Sequence, residues 1–247
     1  MTPASVQDSE ITVCAVVGDV AMLDGQRRAP ERVERVAEDG IGAAVVRAAA
    51  TGATWLWLLD GSVEPAANAL EELLAPLTRA PALGDPILLS SMIVTQDGEL
   101  DTRAPPWPRL FWRENAIVGA EHRLPALRAA SWGSLLVHRR ALSLYGAPRV
   151  DFAGAGDDLE WTGRMLRETP GYLVPGSVAV RNRPLSTRGV AYTRSRVRIL
   201  VGDGWHGTDR VWFAFVLVRD VTGRLAARPS AALRRLRAAT AGIRGGS

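Results

Sequence analysis

Thr54 to Asp60 reads TWLWLLD, an apolar run closed by a single acid. A run this short, apolar on both of its alternating faces, predicts a strand buried on both sides. Upstream, Ile11 to Val17 (ITVCAVV) ends in the same way at Gly18-Asp19 and predicts a second buried strand. Between the two, Pro30 and Glu31 suit the first turn of a helix, with Val33, Val36 and Ala37 as its apolar stripe. Gly40 and Gly42 interrupt it, and a second helix, Ala43 to Thr51, stops at Gly52. Strand, helix, strand predicts an α/β, Rossmann-like, mostly parallel sheet flanked by helices, with ligands gathered at the C-terminal ends of its strands.

Downstream, Pro65 to Leu77 reads as a helix with Leu70, Leu73, Leu74 and Leu77 on one face. Pro86 to Val94 reads as a further buried strand, closed by a turn at Gln96-Asp97-Gly98. Asp101 to Arg128, rich in Pro, Arg and Trp, reads as a long irregular loop, and loops of that length in compact domains are usually functional. Ser131 to Val137 reads as a strand and His138 to Tyr145 as a short helix ending at Gly146. Tyr172 to Arg181 holds one or two short strands, and Thr208 to Leu225 and Ala231 to Ala241 read as helices. Residues 1–190 form the α/β domain on this reading, and 191–247 a helical, basic C-terminal extension.

The acids that such a scaffold would serve lie in Val150 to Arg164, VDFAGAGDDLEWTGR. Asp157 and Asp158 are adjacent, so on a helix their side chains point about 100° apart; one faces a cleft while the other holds the helix start. The unpaired N–H groups and macrodipole of a helix N-terminus would keep Asp158 ionised and able to act as a base. The plain alternative is an N-cap with an acidic first turn.

All 30 basic residues are Arg, with no Lys, which reads as coding bias before chemistry. The single Cys14 excludes an internal disulfide or a cysteine metal cluster. Met1 to Glu10 is polar and acidic, without the features of a signal peptide, and Val211 to Val218 is too short to span a bilayer. The expected location is therefore cytoplasmic, with peripheral attachment at the inner face of the plasma membrane as the variant. The net charge of +4 is unevenly spread: Val221 to Ser247 has six Arg and no acid, a composition suited to an anionic membrane surface and, less well, to nucleic acid. His122, His138 and His206 show no metal-binding spacing, and phosphate-loop, dinucleotide and Gly-x-Ser-x-Gly fingerprints are absent.

The WLWLLD strand, SWGSLLVHRRALSLYG and FAGAGDDLEWTGRML, in that order, resemble an inverting family 2 glycosyltransferase of the GT-A fold. The flavour is that of bacterial galactofuranosyl and rhamnosyl transferases of the cell envelope, and the resemblance runs from about Gly40 to Pro184. It implies a nucleotide-sugar donor and a glycan or lipid-linked acceptor. Asp158, with Asp157 beside it, matches the catalytic base. Asp60, with Ser62, Arg47 and Arg181, falls on the donor-diphosphate side. Trp107, Trp112, Glu160 and Trp132 fall on the acceptor side, with Phe111 in the same loop, although packing under that loop explains Trp107, Phe111 and Trp112 equally well, and Glu160 has Arg164 as a helix partner.

Three departures weaken an enzyme reading. The family's Asp-x-Asp element, which holds Mn or Mg, is here Asp60-Gly61-Ser62, and the position of its metal-binding His lies near Asn182. One Asp among neutral neighbours is a poor hard-cation site, with Glu64 of unknown direction as the possible substitute. The N-terminal part shows one clear strand before Trp55, which implies a trimmed nucleotide pocket. Two readings stay open: a metal-independent transferase in which Arg47, Arg181 or Arg183 meets the diphosphate charge, or a catalytically silent domain serving as scaffold, protein partner or homo-oligomer in an envelope assembly.

Overall fold

The computed structural model describes residues 11–37, 39–101, 106–109, 114–149, 152, 156–183, 190–202, 204–205 and 207–227. Trp112, Phe111, His206 and the helix expected over Ala231 to Ala241 lie outside the described residues. The central sheet is built from β1 (Val13–Val17), β2 (Arg32–Arg35), β3 (Trp55–Leu59), β4 (Val63–Pro65), β5 (Leu88–Val94), β8 (Ser134–His138) and β9 (Gly171–Arg181), in the order β2-β1-β3-β8-β5-β9-β4. A small second sheet pairs β6 (Trp107–Pro108) with β7 (Leu127–Ala129). The helices are α1 (Gly40–Ala50), α2 (Ala69–Arg79), α3 (Glu114–Glu121), α4 (Arg140–Tyr145), α5 (Asp157–Met165), α6 (Val190–Val201) and α7 (Gly207–Ala227).

The expected parallel arrangement holds for β2, β1 and β3 and again for β5 and β9. The sheet as a whole is mixed, because β8 runs antiparallel between β3 and β5, and β4 runs antiparallel along the β9 edge. Period-two alternation divides the core. Val13, Ala15, Trp55 and Trp57 face α2 through Leu70, Leu73 and Leu74, while Cys14, Val16, Leu56 and Leu58 face α1, α4 and α5 through Val45, Ala141 and Trp161. Cys14 is buried and free, and burial pushes its thiol pKa up.

Several elements differ from the sequence expectation, among them α1, which starts at Gly40 and runs through Gly42 without interruption, and α6, which is not among the expected helices. Arg32 to Arg35 is an edge strand, not a helix: its backbone pairs with β1 while its charged side chains stay near solvent, which hides the strand pattern. The N-terminal part therefore supplies two parallel strands and a helix before β3. The Pro65 helix begins only at Ala69, because Val63 to Pro65 first pairs with β9. The supposed loop from Asp101 to Arg128 contains β6, α3 and β7. Tyr172 to Arg181 belongs to one continuous strand, with a register shift opposite Ser91 and Met92. α6 and α7 close a third core with Trp107, Phe152 and Leu159, through Ile199, Trp205 and Phe213.

Candidate active site

The N-cap of α5 is Gly156, at φ +92°, in the left-handed region that favours glycine. A Cβ there would also stand 3.1 Å from Ser195 Cβ of α6. The helix is then pinned from within. Thr162 Oγ1 donates to Ala130 O (3.0 Å) or to Asp158 O (2.7 Å) and accepts from Ala130 N–H, and Trp161 Nε1 donates to Gly146 O. Thr162 thereby sets the segment between β7 and β8 against the first turn of α5.

That segment joins the two acids the sequence singled out. Trp132 N–H donates to Asp158 Oδ2 at 3.0 Å, and the next residue, Gly133, accepts the Asp60 N–H through its carbonyl at 2.9 Å. Asp60 follows β3 directly, where Leu59 pairs with Ser134 at the start of β8. Two consecutive residues thus anchor the end of β3 and the start of α5. Gly133 has no room for a side chain: a Cβ would lie 2.9 Å from Ile93 Cδ1.

Asp158 also accepts from its own helix, from Leu159 N–H at 2.7 Å. Sequence reasoning expected such N–H groups to keep it readily ionised. Instead its pKa is pushed up to about 7, first by burial, then by the Asp157 charge, with a smaller contribution from Asp60; the two N–H bonds only partly offset this. Asp157 is buried and its pKa is raised by that burial, with the Trp132 indole acting in the opposite direction. Asp157 Oδ1 and Trp132 Nε1 are both buried, and neither makes a hydrogen bond among the described residues.

Around Asp60 the side chains are already committed. Ser62 N–H and Oγ–H donate to its two carboxylate oxygens at 3.2 and 2.5 Å. Arg181 Nη1 donates to Ser62 Oγ and stands 3.7 Å from Asp60 Oδ2, while its Nε donates to Asp101 Oδ2 at 2.6 Å. The Arg181 and Asp101 side chains are each 1% exposed. Beside this cluster, at the C-terminal end of β1, opens a cavity of about 420 Å³ lined by Gly18, Asp19, Gly61, Glu64, Asn182 and Arg183 among others. Asn182 N–H and Arg183 N–H both donate to Ser62 O.

A divalent cation does not fit these residues. Such ions want six or more oxygen ligands, usually with several carboxylates. Here the Asp60 oxygens are occupied by Ser62, a guanidinium lies alongside, and the described residues contain no group of three His, Cys, Asp or Glu able to hold a metal. Glu64 and Asn182 both line the cavity, the latter as a neutral group.

The other expected residues fall as follows. Arg47 is paired with Glu34 (2.7 Å) and Asp39 at the β2 edge, with β1 between it and β3. Glu160 forms a two-pronged ion pair with Arg164, both contacts at 3.0 Å. Trp107 packs in the third core against Trp205, Trp212 and Phe213. Trp132 lies at the acids, its ring 6.0 Å from that of Trp161. Sequence reasoning missed Asp101, Gly133 and Asp19. Only Asp19 carried a signal, as the acid that closes the β1 run just as Asp60 closes β3.

No protein-family model matches the sequence, and no curated protein matches it. Among solved structures the chain is similar to that of GalNAc-T7 with UDP, GalNAc and Mn2+, at a TM-score of 0.51 and 14% identity, over 78% of this chain and 48% of that one. It thus spans about half the length of that protein. At such low identity the likeness concerns the fold alone, and the fold it shows is α/β and GT-A-like, a mixed sheet of seven strands flanked by helices.

Proposed function

We propose that this chain is an inverting glycosyltransferase that moves a sugar from a nucleotide sugar to a glycan or lipid-linked acceptor of the cell envelope, without a resident metal. The observation that carries the reading is the anchoring of Asp60 and Asp158 by adjacent residues, Gly133 and Trp132, with Asp158 at a pKa of about 7. A general base works best when its pKa lies near the operating pH. Asp158 takes the proton of the acceptor hydroxyl as that oxygen forms its bond to the anomeric carbon. The bond from that carbon to the diphosphate oxygen breaks on the opposite face, and the electron pair leaves with the nucleoside diphosphate. Arg183 at the cavity supplies positive charge toward that leaving group, and Arg181 holds Asp60 and Ser62 in place.

A second reading, a catalytically silent GT-A-like scaffold, draws on the same cluster. Arg181 and Ser62 fill the surroundings of Asp60 and leave no metal-based grip on a donor. Calorimetric titration with UDP, GDP and dTDP, in EDTA and then with Mn2+ or Mg2+, separates the readings. Binding in EDTA is the expected result. Binding that needs metal would overturn the metal-free account, and no binding by the folded protein would favour the scaffold.

A further inference from the structure

We propose that α7 docks this chain on an anionic lipid surface. Val211, Phe215 and Val218 stand on the outer side of α7, 71%, 63% and 59% exposed. Their i, i+4, i+7 spacing makes one continuous apolar stripe. The opposite side of the helix is spent on the protein itself, with Phe213 packed against Trp205 and Trp107. Val201, near the end of α6, adds a further exposed apolar side chain. No helix among the described residues is long and apolar enough to cross a membrane, so a stripe of this kind suits the plane of an interface, not a span.

Charge decides what covers the stripe. Val221 to Ser247, which begins within α7, carries Arg224, Arg228, Arg234, Arg235, Arg237 and Arg244 and no acid. A second copy would bring an identical set of cations with it, whereas anionic headgroups neutralise them. An apolar helix face and a polybasic segment are also the two signals that stable peripheral binding requires together. The docking face is tied to the acids by Arg128, which is fully buried. Its guanidinium bonds Asp209 of α7 (2.6 Å), Gly163 O of α5 (2.7 Å) and Gly204 O, and stacks 4.3 Å from the Trp205 ring. Docking through α7 would therefore fix α5, and Asp158 with it, relative to the lipid surface. The docking itself does not depend on the sugar-transfer reading.

The test is co-sedimentation of the full chain with vesicles of phosphatidylcholine alone and of phosphatidylcholine mixed with phosphatidylglycerol. Binding is expected only to the anionic vesicles and is expected to weaken as salt is raised. Phe215→Glu should lower it by at least about tenfold, and joint replacement of Arg234, Arg235 and Arg237 by Ala by about a hundredfold at low salt, at roughly fivefold per Arg. Phe215 is exposed, so circular dichroism should report an intact fold, and the Arg variant probes the same proposal without touching the helix stripe. Absence of binding to anionic vesicles overturns the proposal, as does binding unchanged by Phe215→Glu. A concentration-dependent dimer abolished by Phe215→Glu, with no vesicle binding, would assign the stripe to a second copy instead.

Discussion

Replacing Asp158 by Asn should stabilise the protein in a pH-dependent way, because the native state holds this carboxyl against its own ionisation. Its pKa rises from 3.8 to about 7 on folding. Between those values the folded state binds the proton that the unfolded state has released, so stability falls as pH rises and the penalty is complete above about 7. A shift of about three units corresponds to a ceiling of about 4 kcal/mol at 1.36 kcal/mol per unit. The residue keeps some solvent exposure and shares its titration with Asp157, so about 2 kcal/mol is the expected size. Asn also loses one of the two N–H contacts from Trp132 and Leu159, a cost of about 1 kcal/mol that does not vary with pH. The informative quantity is therefore the change in the mutant-minus-wild-type difference. Urea denaturation at pH 4.5, 6 and 8 should show that difference moving by about 2 kcal/mol in favour of the Asp158→Asn variant across the range. A difference independent of pH, or one that moves in favour of the wild type, would refute the reasoning.

Two further substitutions test the frame around the acids. Arg181→Met removes the cation beside the buried Asp101 carboxylate and should cost about 3 kcal/mol in urea unfolding, with a loss below about 1 kcal/mol contradicting its anchoring role. Gly119→Ala on α3 would place a Cβ 2.4 Å from Leu124 O and 2.8 Å from Tyr172 Cε1. Thermal denaturation should show a loss of about 2 kcal/mol, and an unchanged midpoint would mean that Gly119 does not approach Leu124 and Tyr172 this closely.

How far the sequence foretold this arrangement depended on whether each signal was local. β1, β3, β5 and β8 are central strands buried on both faces, so their apolar runs stand out in the chain. β2 is an edge strand, RVER, whose only requirement is backbone pairing with β1, and no hydrophobic pattern marks that. α3 and α6 lie in segments dense in Arg and Pro, where composition masks periodicity. Asp157 and Asp158 were legible because the glycine approach and helix start are contiguous with them. Arg181 was singled out, but its buried partner, 80 residues away at Asp101, was not. The link from Arg128 to Asp209 spans 81 residues and was equally invisible. The pKa of Asp158 was misjudged for the same reason: the helix N-terminus is read locally, whereas the burial that outweighs it arises only when the chain folds and brings the segment at Trp132 against the start of α5.

The central claim, that Asp158 is the base of a sugar transfer, is tested most directly by the rate of nucleoside diphosphate release from a panel of nucleotide sugars. It should be measured with acceptor extracts from pH 5 to 9, for the wild type and Asp158→Asn. The account predicts a rate that climbs about tenfold per unit up to about pH 7 and then levels, and that is lost in the Asp158→Asn variant while nucleotide affinity is kept. A wild-type profile without that inflection, or turnover unchanged by the substitution, would contradict it.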